Sequence, residues 1–101
     1  MKYEIWQLKQ EAMKNYGFMD YDFAVEHGFS MNDYEKVYEG EIDASMTCQA
    51  TAERLFEKFN INRPEDFHGH SMSVSDIVVL GDNRVKLYCE PIGFRRISEG
   101  D

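Results

Sequence analysis

The stretch PEDFHGHSMSVSDIVVL, residues 64–80, is the most informative part of this chain. In it a polar, turn-rich segment leads directly into the apolar run Ile77-Val78-Val79-Leu80. A short apolar run bounded by turn residues is typical of a buried strand, and binding residues in small domains most often lie on loops that such strands carry. The stretch therefore predicts a surface loop anchored on a buried strand, and it marks the loop as the candidate binding site.

A hairpin is predicted directly after this strand. Residues 81–84, GDNR, form a turn sequence that separates the first apolar run from a second strand-like run at residues 85–92. Side chains alternate along the second run, with Val85, Leu87 and Cys89 on one face and Lys86, Tyr88 and Glu90 on the other. Pro91 cannot donate a ladder hydrogen bond, so it marks the end or the edge of the strand.

The N-terminal third of the chain predicts a strand and two short helices. Residues 3–8 are rich in aromatic and β-branched residues and predict the first strand. Leu8, Ala12 and Tyr16 are spaced four apart, as on one face of a helix, and Gly17 is expected to end it in the left-handed conformation. A second helix is predicted over residues 21–27, with Gly28 as its stop.

Residues 34–42 alternate in the manner of a half-exposed strand. The alternation places Tyr34, Tyr38 and Ile42 on one face. It places Glu35, Glu39 and Glu41 on the other face with Val37.

The main helix is predicted over residues 47–60. Apolar side chains recur there with a period of 3.6 residues, at Cys48, Ala52, Leu55, Phe56 and Phe59. Ser45 or Thr47 is expected to cap its start, and Asn60 followed by Pro64 to end it. Such a stripe predicts a helix that packs on the sheet.

These elements predict an α+β fold with a small, mostly antiparallel sheet. The main amphipathic helix packs on one face of the sheet, and the short helices belong to the N-terminal part. The length of 101 residues predicts one domain, which we place at residues 1–97, followed by a polar C-terminal tail at residues 98–101.

Charge and composition limit the classes of partner. The net charge is −8, and the longest Lys/Arg cluster is Arg95-Arg96, so direct nucleic-acid binding is not expected. The absence of a signal sequence or of a long apolar stretch predicts a cytoplasmic protein without a membrane partner. Cys48 and Cys89 are then expected to be reduced and packed.

The loop also contains residue types that catalyse reactions in other proteins. His68 and His70 could share a metal ion with Asp66 or Asp76, but no Cys-x-x-Cys or His-x-x-x-His spacing supports such a site. Serines beside histidines supply a nucleophile and a base by type, but the nucleophile elbow of hydrolases is missing. The sequence therefore predicts no metal, no cofactor and no catalytic residue.

A binding surface is the remaining interpretation of the loop. If Met72 and Val74 point inward, the serines between and beside them present free hydroxyls on the outer face. Phe94 and Arg95 could lie alongside. The predicted binding residues are Asp66, His68, His70, Ser71, Ser73, Ser75, Asp76, Phe94 and Arg95.

The chain resembles the YodL-like domain family. The specific part of the resemblance is Gly69-His70-Ser71-Met72-Ser73-Val74-Ser75-Asp76-Ile77-Val78-Val79, preceded by Phe59-Asn60-Ile61 and Pro64-Glu65-Asp66-Phe67 and followed by Gly93-Phe94. Tyr3-x-Ile5-Trp6-Gln7-Leu8, Phe18-Met19-x-Tyr21 and Tyr34-x-x-Val37-Tyr38-x-Gly40 also fit. The family occurs in Firmicutes, often on integrative and conjugative elements. The resemblance implies a small accessory or regulatory domain of a bacterial mobile element, and it transfers no catalytic residue.

Three functional hypotheses follow. The first is a non-enzymatic protein-interaction module, because the polar block lacks any catalytic signature. The second is an acidic antagonist of a DNA-processing protein that imitates DNA, which requires Glu35, Glu39 and Glu41 to line one face. The third is a small metal-assisted hydrolase that uses His68, His70 and Asp76.

Overall fold

A computed structural model describes residues 1–43, 47–61, 63–67 and 69–97 of the chain. Ser45, His68 and the polar tail at residues 98–101 lie outside the described residues. The strands are β1 (Lys2–Leu8), β2 (Tyr34–Glu41), β3 (Ile77–Leu80), β4 (Val85–Cys89) and β5 (Phe94–Ile97). The helices are α1 (Gln10–Tyr16), α2 (Tyr21–Glu26) and α3 (Cys48–Ile61), with a 3₁₀ turn at Met31–Asp33.

The described strands form one five-stranded sheet in the order β2-β1-β3-β4-β5. Every pair of neighbours is antiparallel. All four residues of β3 are buried, because side chains on both of its faces are covered. The antiparallel α+β fold and the buried strand that follows the polar loop are confirmed, and so is the hairpin between β3 and β4.

Helices cover both faces of the sheet. On one face, α3 contributes Ala52, Leu55 and Phe59 to a core with Ile5 and Val78. On the other face, α1 and α2 pack over a second core, whose buried members include Leu8, Ala12, Tyr16, Tyr21, Ala24, Tyr34, Ile77, Val79, Tyr88 and Ile97. The predicted alternation of side chains along β4 is therefore confirmed. Tyr88 is fully buried because the second face of the sheet is covered as well.

The main helix is confirmed at Cys48–Ile61. Its start is capped by Thr47, whose Oγ1 accepts a hydrogen bond from the Ala50 N–H at 3.1 Å. The apolar stripe faces the sheet, and Thr51 is buried beside it with its hydroxyl donating to the Thr47 carbonyl oxygen. None of the helices in the described residues is long and apolar enough to cross a membrane.

A β-bulge in β2 changes which of its side chains share a face, so the faces predicted for this strand are not those observed. Ile5 of β1 pairs with Tyr38 and the next residue, Trp6, pairs with Lys36, so Val37 is the extra residue of β2. The extra residue reverses the alternation, because successive side chains of a strand point to opposite faces. Tyr34 therefore packs in the α1–α2 core and Tyr38 against the α3 core, and the prediction that they share a face is wrong.

The end of α1 also differs from its prediction. Gly17 follows the helix but is extended, with φ −60° and ψ 136°, instead of left-handed. Glycine is needed there because a Cβ would lie 2.6 Å from the carbonyl oxygen of Met13. The left-handed position falls on the next residue, Phe18, at φ 65°. The predicted end of α2 at Gly28 is confirmed, since Gly28 has φ 86°.

The α3 core gives a direct stability test. Leu55 has no exposed surface, and truncation to alanine would leave a cavity between α3 and the sheet. We expect Leu55→Ala to lower the free energy of unfolding by about 2–5 kcal/mol in chemical denaturation. The control is Glu57→Ala on the exposed side of the same helix, which should change it by less than about 0.5 kcal/mol. Equal effects of the two variants would contradict the packing described here.

Candidate functional site

The first half of the predicted binding loop is tied to the edge of the α3 core. The Phe67 ring packs edge-on against Phe59, with ring centroids 4.8 Å apart, and against Tyr38 at 5.9 Å. Beside it, the Asp66 carboxylate accepts a hydrogen bond from the Tyr38 hydroxyl at 3.1 Å. This part of the loop is thus anchored by aromatic packing, with Asp66 exposed at its surface.

The second half of the loop is held by the amide of Gln7. Gln7 Nε2 donates to the His70 carbonyl oxygen at 2.7 Å and to Asp76 Oδ2 at 3.0 Å. The same Nε2 lies 3.3 Å from His70 Nδ1. Gln7 was not among the predicted site residues. Strand alternation could have identified Gln7 from the sequence, because it places this residue on the same inward face as Tyr3 and Ile5.

Asp76 is a buried carboxylate at the base of the loop, with 1% of its surface exposed. Its Oδ2 also accepts from the Ser73 N–H at 3.0 Å. Burial raises the pKa of Asp76 to about 7, and the Ser73 N–H, the nearby His70 and the Gln7 amide oppose this shift. The group therefore exchanges its proton near neutral pH.

The predicted row of outward hydroxyls is only partly correct. Ser71 and His70 are exposed, whereas Ser75 is buried and left-handed at φ 86°. Ser75 accepts the Phe18 N–H at its Oγ at 3.2 Å and the Tyr34 hydroxyl at its carbonyl oxygen at 2.6 Å. The Ser73 hydroxyl is also buried, and it finds no hydrogen-bond partner within the described residues. Ser73 and Ser75 therefore support the loop instead of forming its outer face.

Phe94 and Arg95 do not lie beside the loop as the sequence suggested. Phe94 is part of the α3 core and meets the Phe56 ring at 6.3 Å. Arg95 points to the opposite face, where it pairs with Asp22 at 2.9 Å and lies 5.3 Å from the centre of the Tyr21 ring. Their partners belong to α3 and α2, because adjacent residues of β5 face opposite sides of the sheet.

The loop forms one wall of a cleft of about 320 Å³. The opposite walls come from α1, the residues after it and the bulged part of β2. The cleft is lined by Gln7, Leu8, Gln10, Met13, Phe18, Glu35, Val37, Gly69 and His70. It combines apolar walls with a few polar groups, which is the usual composition of a binding site.

Phe18 is the most exposed aromatic residue at this cleft, with 59% of its surface in solvent. A left-handed conformation costs a residue with a side chain about 1–3 kcal/mol, so surrounding contacts must hold it. The Ser75 hydroxyl holds the Phe18 N–H, and the Tyr88 hydroxyl donates to the Met19 carbonyl oxygen at 2.7 Å. These two hydrogen bonds therefore fix the backbone that carries an exposed ring at the cleft.

The described residues contain no group of three or more His, Cys, Asp and Glu side chains that could hold a metal ion. The remaining member of the predicted set, His68, lies outside them. His70 Nδ1 faces the carbonyl oxygen of Ser71 at 2.8 Å and not a serine hydroxyl. Both cysteines are free, and burial raises the pKa of the Cys89 thiol to about 12, so this thiol stays protonated.

The pKa of Asp76 predicts a pH-dependent contribution to stability. Below about pH 4 the carboxyl is protonated in both the folded and the unfolded chain. Between about pH 4 and 7 only the unfolded chain ionises it, so the wild-type protein loses stability as the pH rises. Asp76→Asn keeps an oxygen acceptor for both donors and has no charge to bury. We therefore expect the free energy of unfolding of Asp76→Asn, relative to wild type, to increase from pH 5 to pH 8 by about 3 kcal/mol at most.

Chemical denaturation of both proteins at the two pH values measures this difference. Glu57→Gln, on the exposed side of α3, is the control and should follow the wild type. Asp76→Ala leaves two buried donors without an acceptor, so we expect it to be less stable than wild type at pH 5. An Asp76→Asn difference that is the same at pH 5 and pH 8 would show that the pKa is not raised.

Comparison with known proteins identifies the family. The family model of the YodL-like domain matches residues 2–99. No curated protein and no solved structure gave a match. The matched residues include every described strand and helix, the loop and the cleft. The chain belongs to the YodL-like domain family.

Proposed function

We propose that this domain is a non-enzymatic protein-interaction module that binds its partner at the cleft beside the loop. The observation that carries the proposal is the exposed Phe18 ring, whose strained backbone is held by hydrogen bonds with the hydroxyls of Ser75 and Tyr88. Rigid aromatic side chains beside a pocket are typical anchors of protein interfaces. The exposed His70 and Ser71 supply polar groups at the rim.

The biological setting is part of the same proposal. We place the protein in the bacterial cytoplasm, as an accessory or regulatory domain of a mobile element. Support comes from membership of the YodL-like family, since the resemblance implies a domain of a mobile element, and from the two free cysteines. Binding a protein, and not DNA, agrees with the net charge of −8, because an acidic surface repels phosphate groups.

The DNA-mimic alternative has less support. It needs Glu35, Glu39 and Glu41 on one face, but the Val37 bulge separates them. Glu35 pairs with Gln7 and lines the cleft, whereas Glu39 and Glu41 pair with Glu4 and Lys2 on the other face. Lys36 forms an ion pair with Glu39 at 3.0 Å, and Arg84 forms one with Glu4 at 3.0 Å. These cations interrupt the row of carboxylates that imitation of a phosphate backbone requires.

The metal-assisted hydrolase also has less support. Asp76 is buried and hydrogen-bonded to Gln7 and to the Ser73 N–H, so its described oxygen contacts are structural. Elemental analysis of protein purified without a chelator or a histidine tag tests this alternative directly.

The interaction proposal is tested with a double variant, Phe18→Ala/His70→Ala. Both side chains are exposed, so the variant should fold, which circular dichroism and the Tm check. In a pull-down from the host lysate, we expect wild type to retain a partner that the double variant loses, with binding weakened at least about tenfold for an anchor worth over 1.4 kcal/mol. The matched control is Val25→Ala/Ile92→Ala, which removes two exposed apolar side chains outside the cleft. A partner retained equally by both double variants would place the interface elsewhere.

A further inference from the structure

The floor of the cleft contains a hydrogen-bond acceptor that nothing in the described residues uses. The polar contacts of this side chain are all made by Nε2, with His70 and Asp76, and no donor of the described residues reaches Gln7 Oε1. Only 2% of the surface of Gln7 is exposed. Within the described residues, the Ser73 hydroxyl is the one fully buried side-chain polar atom without a partner. Gln7 Oε1 is therefore reachable from outside, and a donor that enters the cleft can bond to it.

Gly69 keeps this oxygen accessible. A Cβ at residue 69 would lie 2.5 Å from Gln7 Oε1 and 2.9 Å from the Phe67 ring. Any larger residue at this position would therefore displace the Gln7 amide or cover its oxygen. Glycine thus lets the loop backbone approach the Gln7 side chain closely while leaving its oxygen uncovered by a side chain at residue 69.

A carboxylate lies beside the acceptor. Glu35 is directly opposite Gln7 in the β1–β2 ladder, is exposed and lines the same cleft. Within the described residues Glu35 forms no ion pair. Since the chain as a whole carries a charge of −8, the cleft favours a cation.

The residues that line the cleft favour a cation that has an aliphatic chain and a planar charged group. Leu8, Met13 and Val37 offer aliphatic contacts, and the exposed Phe18 ring stands at the mouth. A guanidinium stacks on aromatic rings, donates several N–H groups in one plane and pairs with carboxylates in a bidentate manner. A cleft of about 320 Å³ is at the lower end of the range for ligand sites, so it suits one long side chain better than a folded segment.

We infer that the cleft receives an arginine side chain of the protein partner, with its guanidinium between Glu35 and the Gln7 side-chain oxygen and against the Phe18 ring. This inference rests on the proposed function, because it names the chemistry that the interaction module recognises. It adds two residues, Gln7 and Glu35, that the polar loop by itself does not contain.

The test is a titration of the isotope-labelled chain, followed by the amide signals of Phe18, Glu35 and Gly69 in NMR spectra. The probe is N-acetyl-arginine amide, and the matched control is N-acetyl-citrulline amide, which has the same length but no charge. We expect the arginine probe to shift all three signals and to bind at least about fivefold more tightly than the citrulline probe, because charge-assisted hydrogen bonds are roughly twice as strong as neutral ones.

Two charge variants on the same strand sharpen the test. Glu35→Gln should weaken arginine binding at least about fivefold and remove most of its dependence on salt. Glu41→Gln is the control, since Glu41 is exposed on the other face and does not line the cleft. Three results would each overturn the inference. They are equal binding of the arginine and citrulline probes, equal effects of the two variants, and no shift of the amide signals at tens of millimolar probe.

Failure of this inference is distinguishable from failure of the proposed function. If arginine does not bind but the Phe18→Ala/His70→Ala variant still loses its protein partner, the cleft is an interface for another side chain and the arginine assignment is wrong. If arginine binds as expected but the double variant keeps its partner, the cleft binds guanidinium groups and the proposed interface is wrong.

Discussion

The β-bulge at Val37 allows a single edge strand to contribute to both cores and to the cleft. Before the bulge, Tyr34 enters the α1–α2 core and donates to the Ser75 carbonyl oxygen. After it, Tyr38 packs on Phe59 and Phe67 on the α3 side. An ordinary strand would place both tyrosines on one face. The bulge therefore lets two tyrosines of one strand each contact a different part of the long loop, and it leaves Glu35 beside Gln7 at the cleft.

The loop is held by polar groups that are themselves costly to bury. Asp76 is 1% exposed, and burial raises its pKa to about 7. Burial also raises the pKa of the Tyr34 hydroxyl, which therefore stays protonated and can donate to Ser75. Asp76 gains hydrogen bonds from Gln7 and Ser73, which offset part of its desolvation. Such a network fixes one arrangement of the loop, because each donor has a specific acceptor.

Two residues with strained backbones lie at the loop and the cleft. Phe18 and Ser75 are both left-handed without being glycine, and the N–H of one is bonded to the hydroxyl of the other. Strained residues persist only where surrounding contacts over-determine them, and they occur most often at functional sites. Here the strained backbone carries an exposed aromatic ring at the cleft that Gln7 and Glu35 also line.

Sequence patterns were enough to predict the elements that depend on neighbours a few residues away. These are the stripe of α3, the turn between β3 and β4, the helix stop at Gly28 and the buried strand Ile77–Leu80. Periodicity and turn chemistry encode such elements locally. The family resemblance, now confirmed over residues 2–99, also came from local motifs.

The face that each side chain covers, and the set of residues that meet at the cleft, depend on tertiary contacts that sequence patterns do not reveal. The alternation of residues 34–42 could not show the bulge, because its position depends on pairing with β1. The burial of Ser75 and of the Ser73 hydroxyl, and the placement of Phe94 and Arg95 on opposite faces, depend on helices that pack from both sides. The key contact of the site joins Gln7 to Asp76, which are 69 residues apart in the chain. No local pattern encodes such a contact, since it forms only when β1 and β3 pair.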